Sequence, residues 1–404
     1  MSDPDTPHNS YTALPTVVCV TMLVQALASM SAILPSAIAP ELAAAHGVPG
    51  SLIGLQVSCI YIGAMMTSAV GGAVVKRYGA LRCSQLALLF AATGGLMTII
   101  PMLAAVAVGA LFVGLGYGLT NPPSSHMLMK VTNDRNRNLV FSIKQTGVPL
   151  GGVLAGLAGP PLALAYGWQM SLVIGAATAL LLMGMISIFR THWDQDRDKS
   201  VRLRANPLND AKIVWKHGGL RAVSLSAFTF SAMQVGISTF TVTMLVADMA
   251  FSLIEAGAVL AVLQVAGVAG RVLWGWLADR TRSPSGVLIG ITLVTVAAAL
   301  VMALLDAGTP PLLVYLIFGV MGLTAVGWNG VYLAEIARLA PKGLIGSATG
   351  SSMVVTYAGV MIGPTAIAGI YALAGSYTAT FAMFAIVPLI GLVFVLQARK
   401  FGEP

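Results

Sequence analysis

GWQMSLVIGAATALLLMGMISIFRTHWDQDRDKSVRLR, residues 167–204, joins an apolar run directly to a dense charged stretch. Residues 167–189 contain no Asp, Glu, Lys or Arg. A helix crosses the hydrocarbon core of a bilayer with about 20 such residues. Comparable runs lie at roughly 15–39, 50–75, 82–103, 105–130, 138–162, 220–247, 254–277, 285–306, 310–337, 345–372 and 376–398. The count is twelve, six on each side of the polar stretch 190–219. That stretch holds seven Lys/Arg and four Asp, and it reads as a solvated cytoplasmic connector. The expected organisation is a tail at 1–14, six-helix bundles at 15–189 and 220–398, and a tail at 399–404.

Composition agrees. Of 404 residues, 57% are hydrophobic and 9% charged, with mean hydropathy +0.86. A soluble domain carries about a quarter charged residues. The 44 glycines let packed helices approach closely. Cys19, Cys59 and Cys83 show no CxxC spacing and read as free thiols, neither a disulfide framework nor a metal site. The first 14 residues, with Asp3 and Asp5, lack the basic region of a cleaved leader, so the first apolar run is expected to remain as a helix. No cofactor is expected. The sequence has no GxxxxGK[ST], so no ATPase resides in it.

With twelve spans and an internal N-terminus, 20 of the 22 Lys and Arg fall on one side, in loops, helix ends and the C-terminal tail. The opposite loops carry Glu41, Asp248, Glu255 and Asp306. This positive-inside pattern places both termini in the cytoplasm. The net charge of +8 is then a topology signal, and nucleic acid is excluded as a partner.

The halves are related. Gly54, Gly72, Lys76 and Arg77 match Gly257, Gly275, Asp279 and Arg280 at an offset of 203. Gly114, Leu115, Asn121 and Lys130 match Gly322, Leu323, Asn329 and Arg338 at 208. Gly147, Val148 and Gly151 match Gly359, Val360 and Gly363 at 212. Two repeats of this kind put a binding site near the midplane between them.

Polar residues at depth locate that site. Spans 3, 6, 9 and 12 have none near their middles and are expected to face lipid. Elsewhere lie Gln25 in span 1, Asn121 in span 4, Lys144 and Gln145 in span 5, Gln234 in span 7, Gln264 and Arg271 in span 8, and Asn329 in span 10. Tyr117 and Trp328 are candidate walls. A cation at the centre of a span costs roughly 2.5–3.5 kcal/mol on insertion scales. Lys144 and Arg271 have no acidic residue at the same depth in the sequence, and two such cations facing one cavity make an anion site. The alternatives are that Lys144 snorkels to the inner surface and that Arg271 is a gate residue tied to Asp279 or to helix-end carbonyls. Asp279, Arg280, Glu335 and Arg338 are expected to form an inner gate that pairs and parts as the cavity changes side.

Gly275-Trp276-Leu277-Ala278-Asp279-Arg280 matches the GxLaDR loop signature of the major facilitator superfamily, and the chain resembles that family over its whole length. The first-half copy, Gly72 to Gly79, keeps the glycines and Arg77 at the gate but has Lys76 where the family usually has Asp. Proton–drug antiporters of the family carry an Arg before the GxG of span 4. Here Ala110-Leu111-Phe112-Val113 precedes Gly114-Leu115-Gly116. Their GPxxGG motif is only approximated by Gly147-Val148-Pro149-Leu150-Gly151-Gly152. Arg271, flanked by Gly270 and Gly275, is similar to the span-eight Arg that binds carboxylate in the oxalate/formate and monocarboxylate branch. Lys144-Gln145-Thr146-Gly147 is similar to bacterial cyanate-type carriers.

The resemblance implies a monomeric carrier, not an enzyme, in a bacterial inner membrane. It would move a small organic anion by alternating access, through proton symport or anion exchange. The rival is a proton-coupled exporter of drugs or metabolites. It predicts a deep acidic residue, which the spans do not contain.

Overall fold

The structure, a computed structural model, describes residues 14–132, 137–201, 215–340 and 345–401. Twelve helices among them are long and apolar enough to cross a membrane. They are span 1 (Leu14–Ala37), 2 (Gly50–Ser68), 3 (Ala80–Met97), 4 (Leu103–Val131), 5 (Ile143–Tyr166) and 6 (Trp168–Trp193). The second set is span 7 (Gly218–Met249), 8 (Leu253–Thr281), 9 (Pro284–Met302), 10 (Pro311–Ile336), 11 (Ala348–Ala374) and 12 (Tyr377–Lys400). No strand occurs among the described residues.

Spans 1–6 and 7–12 form two bundles. Inside the first, span 1 packs on 5 and span 4 on 2 and 3; inside the second, span 7 packs on 11 and 12, and span 8 on 10. Across the divide, span 5 lies on span 8, span 2 on span 11, and span 1 on span 7. Spans 3, 6, 9 and 12 form none of these substantial cross-bundle pairings, as their uniformly apolar middles require.

The sequence repeat is visible as packing. Gly114 presses on the Ile60 carbonyl and Gly322 on the Leu263 carbonyl, each too tightly to admit a Cβ. These partners stand at the offsets of 208 and 203 that relate the two halves. Small residues at such crossings let two backbones meet without a side chain between them.

The bundles touch at the end distal to the basic residues. There Ser58 donates to the Met361 carbonyl at 2.6 Å, Gly54 abuts the Pro364 carbonyl, and Gly156 and Gly257 pack backbone to backbone. Near the basic end, Gly72, Gly275 and Gly350 have open space where a side chain would be.

Three spans break, 4 and 10 near mid-depth and 5 closer to its basic end. Span 4 stops at Gly118 and restarts at Asn121, where Pro122 and Pro123 fit the first turn because its N–H groups need no helical partner. Span 5 changes segment at Thr146. Span 10 passes through a π-helical turn, Gly322–Val326, and restarts at Asn329. Such breaks free backbone carbonyls at a depth where water is scarce, and those carbonyls need donors.

The connector makes contacts of its own. Residues 194–201 run as a strap over the basic end of the first bundle, with Asp194 buried and residues 195–200 exposed. Asp194 accepts from the Leu81 and Arg82 amides at 2.7 and 3.2 Å, satisfying the first turn of span 3. Asp196 pairs with Lys130 at 2.7 Å and His126 at 2.6 Å. The Asp198 amide donates to the Lys76 carbonyl, and Arg77 Nη1 to the Val201 carbonyl. Residues 202–214 of the connector lie outside the described residues.

Candidate functional site

The helix breaks gather the deep polar residues. Lys144, only 2% exposed, donates from Nζ to Asn121 Oδ1 at 2.7 Å. That burial rules out a lysine that snorkels to the surface. Gln25 donates to Gln145 Oε1 at 3.0 Å and approaches Asn121 Oδ1 at 3.5 Å. Gln25 Oε1 is buried without a donor among the described residues. Spans 1, 4 and 5 are thereby joined in one network around the ammonium.

Arg271 reaches this network from the other bundle. Its Nη1 donates to the Gln145 carbonyl at 3.0 Å and its Nε to the Val326 carbonyl at 3.5 Å. The Gln145 carbonyl is freed by Pro149, which has no N–H to donate to it, and the Val326 carbonyl lies at the break in span 10. The tie to helix-end carbonyls is therefore present, and the tie to Asp279 is not. A guanidinium has five donors, so two such bonds leave donors for a ligand. Neither Lys144 nor Arg271 forms an ion pair among the described residues.

One turn further from the basic end lies a cavity of about 50 Å³. It is lined from the first bundle by Ser29, Ser36, Tyr61 and Tyr117, and from the second by Gln234, Ser238 and Gln264. Its volume accommodates about three waters or one carboxylate-sized group. Tyr61 and Tyr117 meet edge to face at 5.8 Å. Tyr117 is also within electrostatic reach of Arg271, so it connects the cavity to the cations. Tyr357 comes within interaction range of Asn121 and Ser68 from the opposite bundle. Aromatic faces and edges thus surround a region with two positive charges.

Gln234 and Gln264 line this cavity. Asn329 donates to Gln234 Oε1 at 3.2 Å, as does Trp328 Nε1 at 2.9 Å. Trp328 is 1% exposed and packs between Phe230 and Tyr332 in the core of the second bundle. Its indole holds Gln234 in place and does not wall the cavity, contrary to its expected position.

The four gate charges do not form one cluster. Arg338 grips Glu335 through Nη2 at 2.6 Å and Nε at 2.8 Å, within span 10 and its continuation. Arg280 lies over the Trp276 ring at 5.9 Å. Asp279 is exposed and without an ion pair among the described residues, and Arg77 is engaged by the strap. With the bundles joined at the distal end, a gate at the basic end has no reason to be paired.

The sequence reading passed over Ser29, Ser36 and Ser238. The signal was spacing: Gln25, Ser29 and Ser36 share one helical face, and so do Gln234 and Ser238.

A family profile described as Major Facilitator Superfamily matches residues 21–364. The benzoate transport protein of Acinetobacter baylyi is 21% identical over 322 residues, covering 72% of this chain and 68% of that protein. The 3-(3-hydroxy-phenyl)propionate transporter of Escherichia coli is 22% identical over 413 residues, covering 98% and 97%. Among solved structures, a peptide transporter in complex with sulfate superposes with TM-score 0.75 at 16% identity, covering 96% of this chain and 95% of that one. A bacterial homologue of the lysosomal transporter Spinster gives 0.70 at 16% identity, covering 98% and 97%. At that identity the two structures speak for the fold alone.

Proposed function

The chain belongs to the major facilitator superfamily, and from that premise we propose that it carries a small aromatic monocarboxylate across the membrane by alternating access. One observation supports this reading above the rest. Lys144 and Arg271 sit at membrane depth, attached to amide and backbone oxygens, with no acid to neutralise them among the described residues. A buried cation without a counter-charge is costly, and an anionic guest removes much of that cost. In this reading Arg271 receives the carboxylate through its free guanidinium edge, and Lys144 adds a point charge. Tyr61, Tyr117 and Tyr357 receive the ring once the bundles part, because the cavity of about 50 Å³ is too small for a ring in this arrangement. Gln25, Asn121, Gln234 and Gln264 fix its orientation.

The relatives described above carry aromatic acids, not oxalate, formate or cyanate, so the substrate proposed bears a ring. The basic end faces the cytoplasm, in line with the distribution of Lys and Arg. The arrangement then corresponds to a cavity closed to the outside. Asp279, Arg280, Glu335 and Arg338 close the inner side when the bundles rock. The anion enters with a proton or in exchange for a second anion.

The test is uptake by proteoliposomes containing the full chain. Benzoate and 3-phenylpropionate should be taken up saturably, and benzamide, which has the ring without the charge, should neither be taken up nor compete. Recording internal pH in the same vesicles separates symport from exchange. Uptake of benzamide equal to that of benzoate would defeat the anion reading.

A further inference from the structure

Lys144 stands at a position that the fold fills without charge in its other half. Gln234, Asn329 and Thr356 of the second bundle lie at offsets of 209, 208 and 212 from Gln25, Asn121 and Lys144 of the first. The two sets are built alike. Gln25 Nε2 approaches Asn121 Oδ1 at 3.5 Å, and Asn329 Nδ2 donates to Gln234 Oε1 at 3.2 Å. Lys144 joins span 5 to span 4 through Asn121, and Thr356 joins span 11 to span 10 through Tyr332 Oη at 3.3 Å. Thr356 is buried like Lys144, and its hydroxyl also donates to the Ser352 carbonyl at 3.1 Å. A neutral hydroxyl is thus enough to complete the polar contact in one bundle. The ammonium in the other has a use besides packing.

The groups around Lys144 leave its charge uncompensated. It is 2% exposed, and its acceptor is the neutral amide oxygen of Asn121 at 2.7 Å. Gln25 faces this pair from span 1. From span 8 comes a second cation, Arg271, bound to the carbonyl of the adjacent Gln145 at 3.0 Å. The other titratable groups nearby are the hydroxyls of Tyr117, within reach of Arg271, and Tyr357, within reach of Asn121. The carboxylates of the basic end are occupied elsewhere or exposed: Glu335 holds Arg338, Asp194 the amides of span 3, Asp196 Lys130 and His126, and Asp279 lies at the surface. A buried ammonium without a counter-charge is relieved in two ways, by an anion beside it or by release of its proton. Arg271 has only the first, because a guanidinium stays protonated in proteins.

We infer that Lys144 carries the proton that crosses with the anion, as an ammonium in the loaded carrier and as an amine in the empty one. The step is one of acid and base: the Lys144 amine takes one proton from solvent, the ammonium pairs with the carboxylate, and no covalent bond of the substrate changes. On release the carboxylate and the proton leave together. The charge of the anion and that of the proton cancel, so the bundles rock with the charge of Arg271 alone in either direction. A carrier that kept both cations would return empty with two uncompensated charges. This role of Lys144 rests on the reading of an anion at Arg271 and goes beyond it, by choosing proton symport over exchange and naming the group that holds the proton.

Calorimetric titration of the full chain with benzoate, in two buffers that differ in their heat of protonation, counts the protons taken up on binding. At a pH of about 8 benzoate itself is fully ionised, so a proton taken up goes to the protein. The wild type should take up about one proton per benzoate bound, as linkage requires of a single group that changes its protonation. Lys144→Arg should bind benzoate with no proton uptake. So should Lys144→Met, with affinity lower by about tenfold or more, and it gives the same reading should the arginine variant not fold. Glu335→Gln should still take up the proton. In proteoliposomes an inward proton gradient should speed benzoate uptake by the wild type and not by Lys144→Arg, although that variant still exchanges internal for external benzoate. Benzoate binding by the wild type without proton uptake would overturn the role of Lys144, and so would proton uptake that persists in both Lys144 variants or vanishes in Glu335→Gln alone. A wild type that does not bind benzoate at all would overturn the substrate reading and the proton carrier together, which sets that result apart from binding without a proton.

Discussion

Replacing Lys144 by Met separates a binding lysine from a structural one, because the two roles move stability in opposite directions. The ammonium is 2% exposed, and its one bond among the described residues goes to Asn121 Oδ1 at 2.7 Å. Methionine fills similar volume without a charge to desolvate. Asn121 Oδ1 keeps the approach of Gln25 Nε2 at 3.5 Å. Substituting a buried ionic group by a well-packed apolar one is commonly neutral or stabilising by about 1–4 kcal/mol. The thermal midpoint of Lys144→Met should therefore hold or rise. Binding should fall, since a hydrogen bond from a charged donor contributes about 1.5–3 kcal/mol, or roughly 10- to 150-fold in affinity. The assay is benzoate binding and thermal unfolding on the same purified protein. A midpoint several degrees lower with unchanged affinity would refute the argument and make Lys144 a strut.

Other consequences concern the gates and the strap. Gly257→Val puts a branched side chain against the Gly156 backbone; it should loosen the distal contact and raise alkylation of cysteines engineered along the distal half of span 8. Arg338→Ala leaves the Glu335 carboxylate buried and unpaired and should destabilise the chain by about 2–3 kcal/mol, discounted from about 3–5 because Arg338 is partly exposed. Changing both residues to Leu should restore most of that stability, and thermal unfolding of the single and double variants compares them. Asp194→Ala removes the acceptor for two amides of span 3 and should cost about 1 kcal/mol, seen as a lower midpoint with substrate affinity unchanged.

The spans were legible because the bilayer accepts few solutions, and a charge-free run such as 167–189 has one reading. The depth of Lys144 and Arg271 was legible for the same reason. What each cation touches was not. The carbonyls that hold Arg271 are left free by Pro149 and by the turn before Asn329. Prolines announce the break in span 4 (Pro122 and Pro123) and the free Gln145 carbonyl (Pro149, four residues on), whereas the turn in span 10 carries none. Trp328 could not be placed by type, since an aromatic at depth serves a core or a cavity equally well; its bond to Gln234 decides. The gate charges were assigned to one cluster because they share an end of the bundle. Their pairing, however, depends on which side of the molecule is closed, and composition carries no record of that. The strap was hidden because no spacing in the sequence pairs Asp194, Asp196 and Asp198 with Leu81, Lys130 and Lys76, and only Asp194 of the three is buried.

Calorimetric titration of benzoate against benzamide, on the wild-type chain and on Arg271→Ala, tests the anion site most directly. The wild type should bind benzoate and not benzamide, and Arg271→Ala should lose at least tenfold in benzoate affinity while remaining folded. Equal binding of the two ligands, or a variant that binds benzoate as tightly as the wild type, would contradict an anion site built on Arg271.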